Sequence, residues 1–82
     1  MFRPHAEYDS DADALYVYLT DAEIERTQAL DDFRNVDRDR TGEVVGVEFL
    51  GVSGGVDLVD VPRRQTVERL IEEGGFSFRV FA

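Results

Sequence analysis

The carboxylates between Asp37 and Glu48 have a spacing that could bind a metal ion. The segment reads DRDRTGEVVGVE and matches the D-x-D-x-T-G-x5-E spacing of a calcium-binding EF-hand loop. The oxygen ligands would come from Asp37, Asp39, Thr41 and Glu48. An EF-hand loop requires a helix on each side, whereas the flanking residues here have the pattern of strands. We therefore interpret residues 37–42 as a hairpin turn and predict no specific calcium site.

The remaining acidic groups and the single histidine do not form a recognisable catalytic pattern. Aspartates alternate from Asp9 to Asp13, but Ala14 and Thr20 occupy the positions where a calcium loop has glycine and glutamate. We interpret this run as a solvated turn. As adjacent residues, Asp31 and Asp32 would point to opposite sides of a strand, so they are not expected to converge for acid–base work unless the backbone bulges there. His5 has no serine or cysteine partner in a triad pattern, and we rank an enzyme last among the candidate functions.

Aromatic residues are the stronger candidates for a functional surface. Tyr16 and Tyr18 share one face of a predicted strand and could line a pocket or contact a partner. Phe76, Phe78 and Phe81 lie in a C-terminal segment that either completes the core or pairs with a second chain. We take these five residues as candidates for an interface, and we expect a homodimer in which the C-terminal strand contributes.

Alternation of apolar and polar residues predicts an antiparallel meander of four or five strands. The predicted elements are strands at Phe2–Tyr8, Ala14–Leu19, Ile24–Leu30, Phe33–Val36 and Val44–Leu50, a helix at Pro62–Glu73, and a final strand from Phe76. The first two strands form a hairpin that contains the run YDSDADALYVYL. The fold class is therefore α+β, with one C-terminal helix packed on the sheet and a short final strand.

Finer features of two elements follow from residue spacing. Val45, Val47 and Phe49 fall on one face of the strand at Val44–Leu50, and apolar residues on both faces indicate a central strand. In the helix, an apolar stripe at i, i+3 and i+4 is predicted to face the sheet. Asp60 is close enough to the predicted helix start to act as its cap, and Gly74-Gly75 is predicted to end the helix.

Length and charge limit the function classes. The chain has 82 residues and a net charge of −9, and all nine basic residues are arginine. We expect one domain, without direct nucleic-acid binding because a negative field repels phosphates. The absence of cysteine fits a reducing cytoplasm, and no apolar run is long enough for a membrane span. We expect no cofactor.

Three ordered motifs resemble the bacterial family named Domain of Unknown Function 2283. They are YDSDADALYVYL, the pair Asp31-Asp32, and NVDRDRTGEVVGVEFL, which together cover about Tyr8 to Leu50. The chain departs from the family pattern by carrying Phe33 and Arg34 where a Gly-Val step is usual, and by its Pro62–Ala82 extension. The resemblance implies a small antiparallel sheet protein with no assigned activity. Some members are encoded beside small ribonuclease-like toxins, which implies an antitoxin-like role.

These observations favour a non-enzymatic protein–protein interaction module. A family-like meander would occupy residues 1–52, and a helix–strand extension residues 53–82, within one domain. Its acidic surface could cover a basic protein partner, such as an RNA-cleaving toxin. The alternative is a protein that binds a small ligand or a metal ion through its Asp-rich turns.

Overall fold

The computed structural model describes residues 1–81, so residue 82 of the predicted extension lies outside the described residues. The elements are β1 (His5–Asp9), β2 (Ala14–Tyr18), β3 (Arg26–Asp31), β4 (Arg34–Arg38), β5 (Val44–Leu50), a 3₁₀ turn (Val52–Gly54), β6 (Val56–Asp57), α1 (Arg64–Glu73) and β7 (Val80–Phe81). The α+β class is confirmed. Among the described residues, no helix is long and apolar enough to cross a membrane.

The first five strands form one antiparallel sheet in the order β1-β2-β5-β4-β3. It combines the predicted hairpin of β1 and β2 with a meander of β3, β4 and β5, and the two parts meet where β2 pairs with β5. The central position predicted for β5 is confirmed. Pro4 immediately precedes β1, which lies at a sheet edge, where a missing backbone donor leaves no ladder bond unmade.

One face of the sheet carries the core, and the other carries four of the candidate site residues, Tyr16, Tyr18, Asp37 and Glu48. Leu15 and Val17 of β2 and Val47 and Phe49 of β5 are buried on the core face. The helix α1 packs over β1 and β2, as its predicted apolar stripe of Val67, Leu70 and Ile71 requires. The alternate residues of the same strands face away from the helix, and we call this side the open face.

The predicted faces of Val44 and Val45, at the start of β5, are wrong because the strand contains a bulge. Asp37 pairs with Gly46 and Arg38 with Val44, so Val45 has no residue opposite it in β4. A bulge places two residues of one strand against one residue of the other and breaks the period of two. As a result Val44 joins Val47 in the core cluster, whereas Val45 lines a pocket on the open face beside Tyr16 and Tyr18.

The prediction that Asp60 caps the helix is wrong. The helix begins at Arg64, and Arg63 precedes it with a left-handed φ of 55° and no side-chain cap bond. Asp60 also has a positive φ, of 63°, and belongs to the turn before Pro62. The prediction that Gly74-Gly75 ends the helix is confirmed, because the Gly75 N–H donates to Glu72 and Gly75 has a φ of 76°, which suits glycine.

The C-terminal segment folds back on its own chain. Only Val80–Phe81 is a strand, shorter than predicted, and it pairs in parallel with β6 instead of joining the main sheet. Phe76 and Phe78 are half-buried and form T-shaped pairs with the Tyr8 ring, at centroid distances of 6.3 and 4.9 Å. Phe76 and Phe78 are therefore held by aromatic packing against Tyr8 at the edge of the core, and not by strand pairing.

Candidate functional site

The structure separates the residues proposed as calcium ligands. Asp39 lies in the turn after β4, where its carboxylate accepts hydrogen bonds from the Thr41 N–H at 2.8 Å, the Thr41 hydroxyl at 2.6 Å and the Glu43 N–H at 3.1 Å. The Thr41 hydroxyl is the main reason that the Asp39 carboxyl has a pKa below its usual value. All three bonds are accepted by one Asp39 oxygen, Oδ1, and they stabilise the turn.

Asp37 and Glu48 lie in strands, so the turn begins two residues later than predicted. The Asp37 carboxylate accepts hydrogen bonds from the Tyr16 hydroxyl at 2.5 Å and from the Thr27 hydroxyl, while Glu48 accepts one from Asn35 at 3.0 Å. Within residues 1–81, no group of three or more histidine or acidic side chains is arranged to hold a metal ion.

An aromatic basin of about 580 Å³ opens on the open face. Four rings contribute to it, and they form a continuous series from the segment before β1, through β1, to β2: Phe2, His5, Tyr18 and Tyr16. The His5 and Tyr18 rings stack at 4.8 Å, and the Tyr18 and Tyr16 centroids are 4.5 Å apart. The rest of the lining consists of three carboxylates, from Glu7, Asp21 and Asp37, and of the apolar residues Ala22, Ile24 and Val45.

The Tyr16 side chain lies across the neighbouring strand, β5, because β5 has no side chain at Gly46. A Cβ atom at Gly46 would lie 2.4 Å from both the ring and the hydroxyl oxygen of Tyr16. The ring therefore crosses the Gly46 backbone, and its hydroxyl reaches Asp37 on β4. Burial, followed by the bond to Asp37, raises the pKa of Tyr16, so the phenol remains a neutral donor.

His5 faces two acceptors. Its Nδ1 lies 2.7 Å from the Arg3 carbonyl oxygen, and its Nε2 lies 2.6 Å from a Glu7 carboxylate oxygen. Both ring nitrogens can donate together only in the imidazolium form. The Arg3 carbonyl first and the Glu7 carboxylate second raise the pKa of His5 above its ordinary value of 6.5.

This geometry predicts a pH-dependent contribution of His5 to stability. A folded-state pKa above the unfolded value stabilises the fold fully below the unfolded pKa, and the effect is lost as the pH rises through the folded pKa. We expect the wild type to have a higher free energy of unfolding than His5→Gln, and the difference should be larger at about pH 5 than at about pH 8.5. Urea denaturation at the two pH values measures this difference. Glu7→Gln, which leaves the ring in place, should lower the His5 pKa measured by NMR. An unshifted or lowered His5 pKa in the wild type would contradict the account.

Asp13 has a structural role that the interpretation as a solvated turn missed. Its carboxylate accepts hydrogen bonds from the Tyr8 hydroxyl at 2.9 Å and from the Ser53 hydroxyl at 2.8 Å, and it also accepts the Ser53 N–H. Its carbonyl oxygen accepts the N–H groups of Gly51 and Val52. Asp13 thus joins the β1–β2 turn to the segment after β5. The Ser53 hydroxyl is the main cause of its lowered pKa.

A second cavity, of about 550 Å³, lies where the sheet meets β6 and β7, and we call it the apolar groove. Its lining includes Phe33, Leu50, Val59 and Phe81. Phe33 is 61% exposed, Val59 43% and Phe81 40%, which is unusual for large apolar side chains gathered around one cavity. Gly55 permits this arrangement, because the Phe81 ring lies where a Cβ atom of residue 55 would be.

The Arg34 side chain connects the two sides of the apolar groove. Its Nε and Nη2 donate to one Asp31 oxygen at 3.0 and 2.9 Å. Its Nη1 donates to the carbonyl oxygens of Asp57, at 3.1 Å, and Val59. Arg34 is only 9% exposed, so one guanidinium fixes the β3–β4 turn to β6 and to the residues that follow it.

The five aromatic interface candidates lie in three places. Tyr16 and Tyr18 are in the aromatic basin, Phe81 is in the apolar groove, and Phe76 and Phe78 pack beside Tyr8. Sequence reasoning missed Phe33 as a surface residue because it was assigned to a strand. The available signal was its position directly after Asp31-Asp32, at a turn where an apolar side chain has no core to enter.

Comparisons with known proteins bear on the family. The comparisons with curated proteins and with solved structures found no match. A family model described as "Protein of unknown function (DUF2283)" matches residues 5–53, from the first strand to the 3₁₀ turn after β5. Because the match covers more than half of the 82 residues, this chain belongs to the DUF2283 family.

Proposed function

We propose that this protein is a non-enzymatic interaction module whose apolar groove binds a basic protein. The observation that carries the proposal is the gathering of three exposed large apolar side chains, Phe33, Val59 and Phe81, around one cavity. Exposed apolar surface of this kind is stabilised when a partner covers it. Arg34 fixes both sides of the groove, so the cost of ordering them on binding is low.

Charge supports a basic partner. The chain carries a net charge of −9, and the side chains of Asp31 and Asp57 at the groove are 44% and 50% exposed. A segment that presents an apolar side chain flanked by arginine or lysine would match both features. An antitoxin-like role, in which the partner is a basic RNA-cleaving toxin, is one form of this function.

A second copy of the chain is the alternative occupant, as in the expected homodimer. Phe76 and Phe78 already pack against Tyr8 of their own chain, so Phe81 is the C-terminal residue best placed for such a contact. Two acidic copies repel each other, and salt screens that repulsion. A homodimer should therefore form more readily at high salt, whereas a complex with a basic protein should weaken.

A small apolar ligand is the second candidate function. The volume of about 550 Å³ lies within the range of small-molecule pockets. The groove is open and its large side chains reach solvent, which favours a protein surface over an enclosed ligand.

The test compares Phe33→Ser combined with Phe81→Ser against Gln65→Ser, a control on the exposed surface of α1. Each tagged protein is expressed in the native host and its partners are identified by mass spectrometry. We expect a basic protein bound to the wild type and the control, lost from the groove variant, and bound less tightly by the purified wild type as salt rises. Identical partners for all three proteins, or a wild type that is a dimer closed over the groove, would contradict the proposal.

A further inference from the structure

We infer that the aromatic basin binds an organic cation of the guanidinium or ammonium class. The faces of aromatic rings carry negative potential and attract such cations. The Phe2, His5, Tyr18 and Tyr16 rings provide a continuous aromatic series, with neighbouring centroids 6.3, 4.8 and 4.5 Å apart. The site is separate from the apolar groove, so the inference does not depend on the proposed function.

The charges in the lining support the same ligand class. Glu7, Asp21 and Asp37 contribute three carboxylates, and none of the nine arginines lines the basin within residues 1–81. An arginine-free lining is notable because guanidinium groups occupy acidic surface elsewhere in the chain, as Arg34 does at Asp31 and Asp57. An incoming cation would therefore meet aromatic rings and carboxylates with no arginine in the lining, and the one basic side chain there, His5, is already paired with Glu7.

The basin is also organised before a ligand arrives. Asp37 accepts hydroxyl hydrogen bonds from Tyr16 and Thr27, which hold the carboxylate in place and fix the Tyr16 ring above Gly46. The Tyr16 hydroxyl donates a hydrogen bond to Asp37, so the lone pairs of its oxygen remain available to accept one from a ligand. Ring and acceptor are thus fixed at no further cost in side-chain ordering.

The chain itself supplies an example of the expected contact. The His5 ring stacks on Tyr18 with an interplanar angle of 17° and lies 2.6 Å from Glu7 through Nε2. Protonated His5 is thus a planar cation in contact with an aromatic face and a carboxylate. A guanidinium group has the same planarity and would use the same two kinds of contact, with Tyr16, Tyr18 and Asp21 as its neighbours.

The experiment is an NMR titration of the full chain, labelled with nitrogen-15, with Nα-acetyl-L-arginine amide, called arginine amide below. Nα-acetyl-L-citrulline amide, called citrulline amide below, is neutral because its α-amino group is acetylated. It has nearly the same shape and is the matched control ligand, and sodium chloride controls for ionic strength. Arginine amide should shift the amide resonances around Tyr18 and Ala22 in a saturable way, whereas citrulline amide should not. Tetramethylammonium chloride should shift the same resonances if the site accepts ammonium as well as guanidinium.

Four variants localise the effect. Asp21→Asn, at an exposed loop position where the fold should tolerate it, should weaken arginine amide binding two- to five-fold, as should Tyr18→Leu, while Tyr18→Phe retains it. Asp57→Asn removes the same charge at the apolar groove and should leave binding unchanged. Equal shifts with both amides, shifts spread over all acidic surfaces, or equal losses in Asp21→Asn and Asp57→Asn would overturn the inference.

Discussion

Gly46→Ala should destabilise the protein by about 2–4 kcal/mol, a large effect for the addition of one methyl group. The new Cβ atom would lie 2.4 Å from the Tyr16 ring, so the ring must move. Movement of the ring breaks the bond from its hydroxyl to Asp37, which is only 9% exposed and would lose a buried donor. The change thus combines overpacking with an unsatisfied polar group.

A matched substitution and a double-mutant cycle isolate this cause. Gly54→Ala adds the same methyl group where no atom lies within 4 Å and should change stability by less than about 0.5 kcal/mol. Tyr16→Ala should remove most of the additional cost of Gly46→Ala, because the space above residue 46 is then empty. Urea denaturation measures the wild type, the three single variants and the double variant. Additive losses in the double variant would show that the ring does not occupy the space above Gly46.

Arg34→Met should cost about 2–4 kcal/mol. Methionine retains much of the apolar volume but cannot donate to Asp31 or to the carbonyl oxygens of Asp57 and Val59. The Asp31 carboxylate is 44% exposed and can regain water, so the loss of bonds to the two backbone carbonyls should account for much of the cost. The connection between the β3–β4 turn and β6 should loosen.

Arg34→Lys and Arg69→Met provide the controls for this prediction. Lysine keeps the charge but lacks the planar fork, so it should recover only part of the loss. Arg69 is 62% exposed and forms a long ion pair with Glu73 at 3.8 Å, so Arg69→Met should cost at most about 0.5 kcal/mol. Hydrogen exchange should show faster opening of β6 in Arg34→Met alone. Equal stability losses in Arg34→Met and Arg69→Met would contradict the role of Arg34.

The strands were predictable because the alternation of side chains between the two faces of a strand is a local signal in the sequence. Leu15 and Val17 alternate with Tyr16 and Tyr18, and the structure places them on opposite faces as this period requires. The faces of Val44 and Val45 were not predictable, because the bulge depends on pairing with β4. The helix start also depends on tertiary context, since Asp60 and Arg63 adopt left-handed conformations that the sequence does not require.

The candidate surfaces were predictable only in part. Tyr16 and Tyr18 were found because they share a strand face. The apolar groove is formed from separate segments that contain Phe33, Val59 and Phe81, and no local pattern connects them. Phe76 and Phe78 alternated as a strand would, yet contact with Tyr8 decided their position. Phe33 and Arg34 are adjacent in sequence and both line the groove.

The most direct test of the interaction surface is site-specific photo-crosslinking in the native host. A photoreactive p-benzoylphenylalanine at position 33, where the side chain is 61% exposed, would report what lies against the groove, and the same group at position 65 is the control. The account predicts an adduct with a basic protein from position 33 and not from position 65. An adduct with a second copy of the chain alone, or the same adducts from both positions, would contradict it.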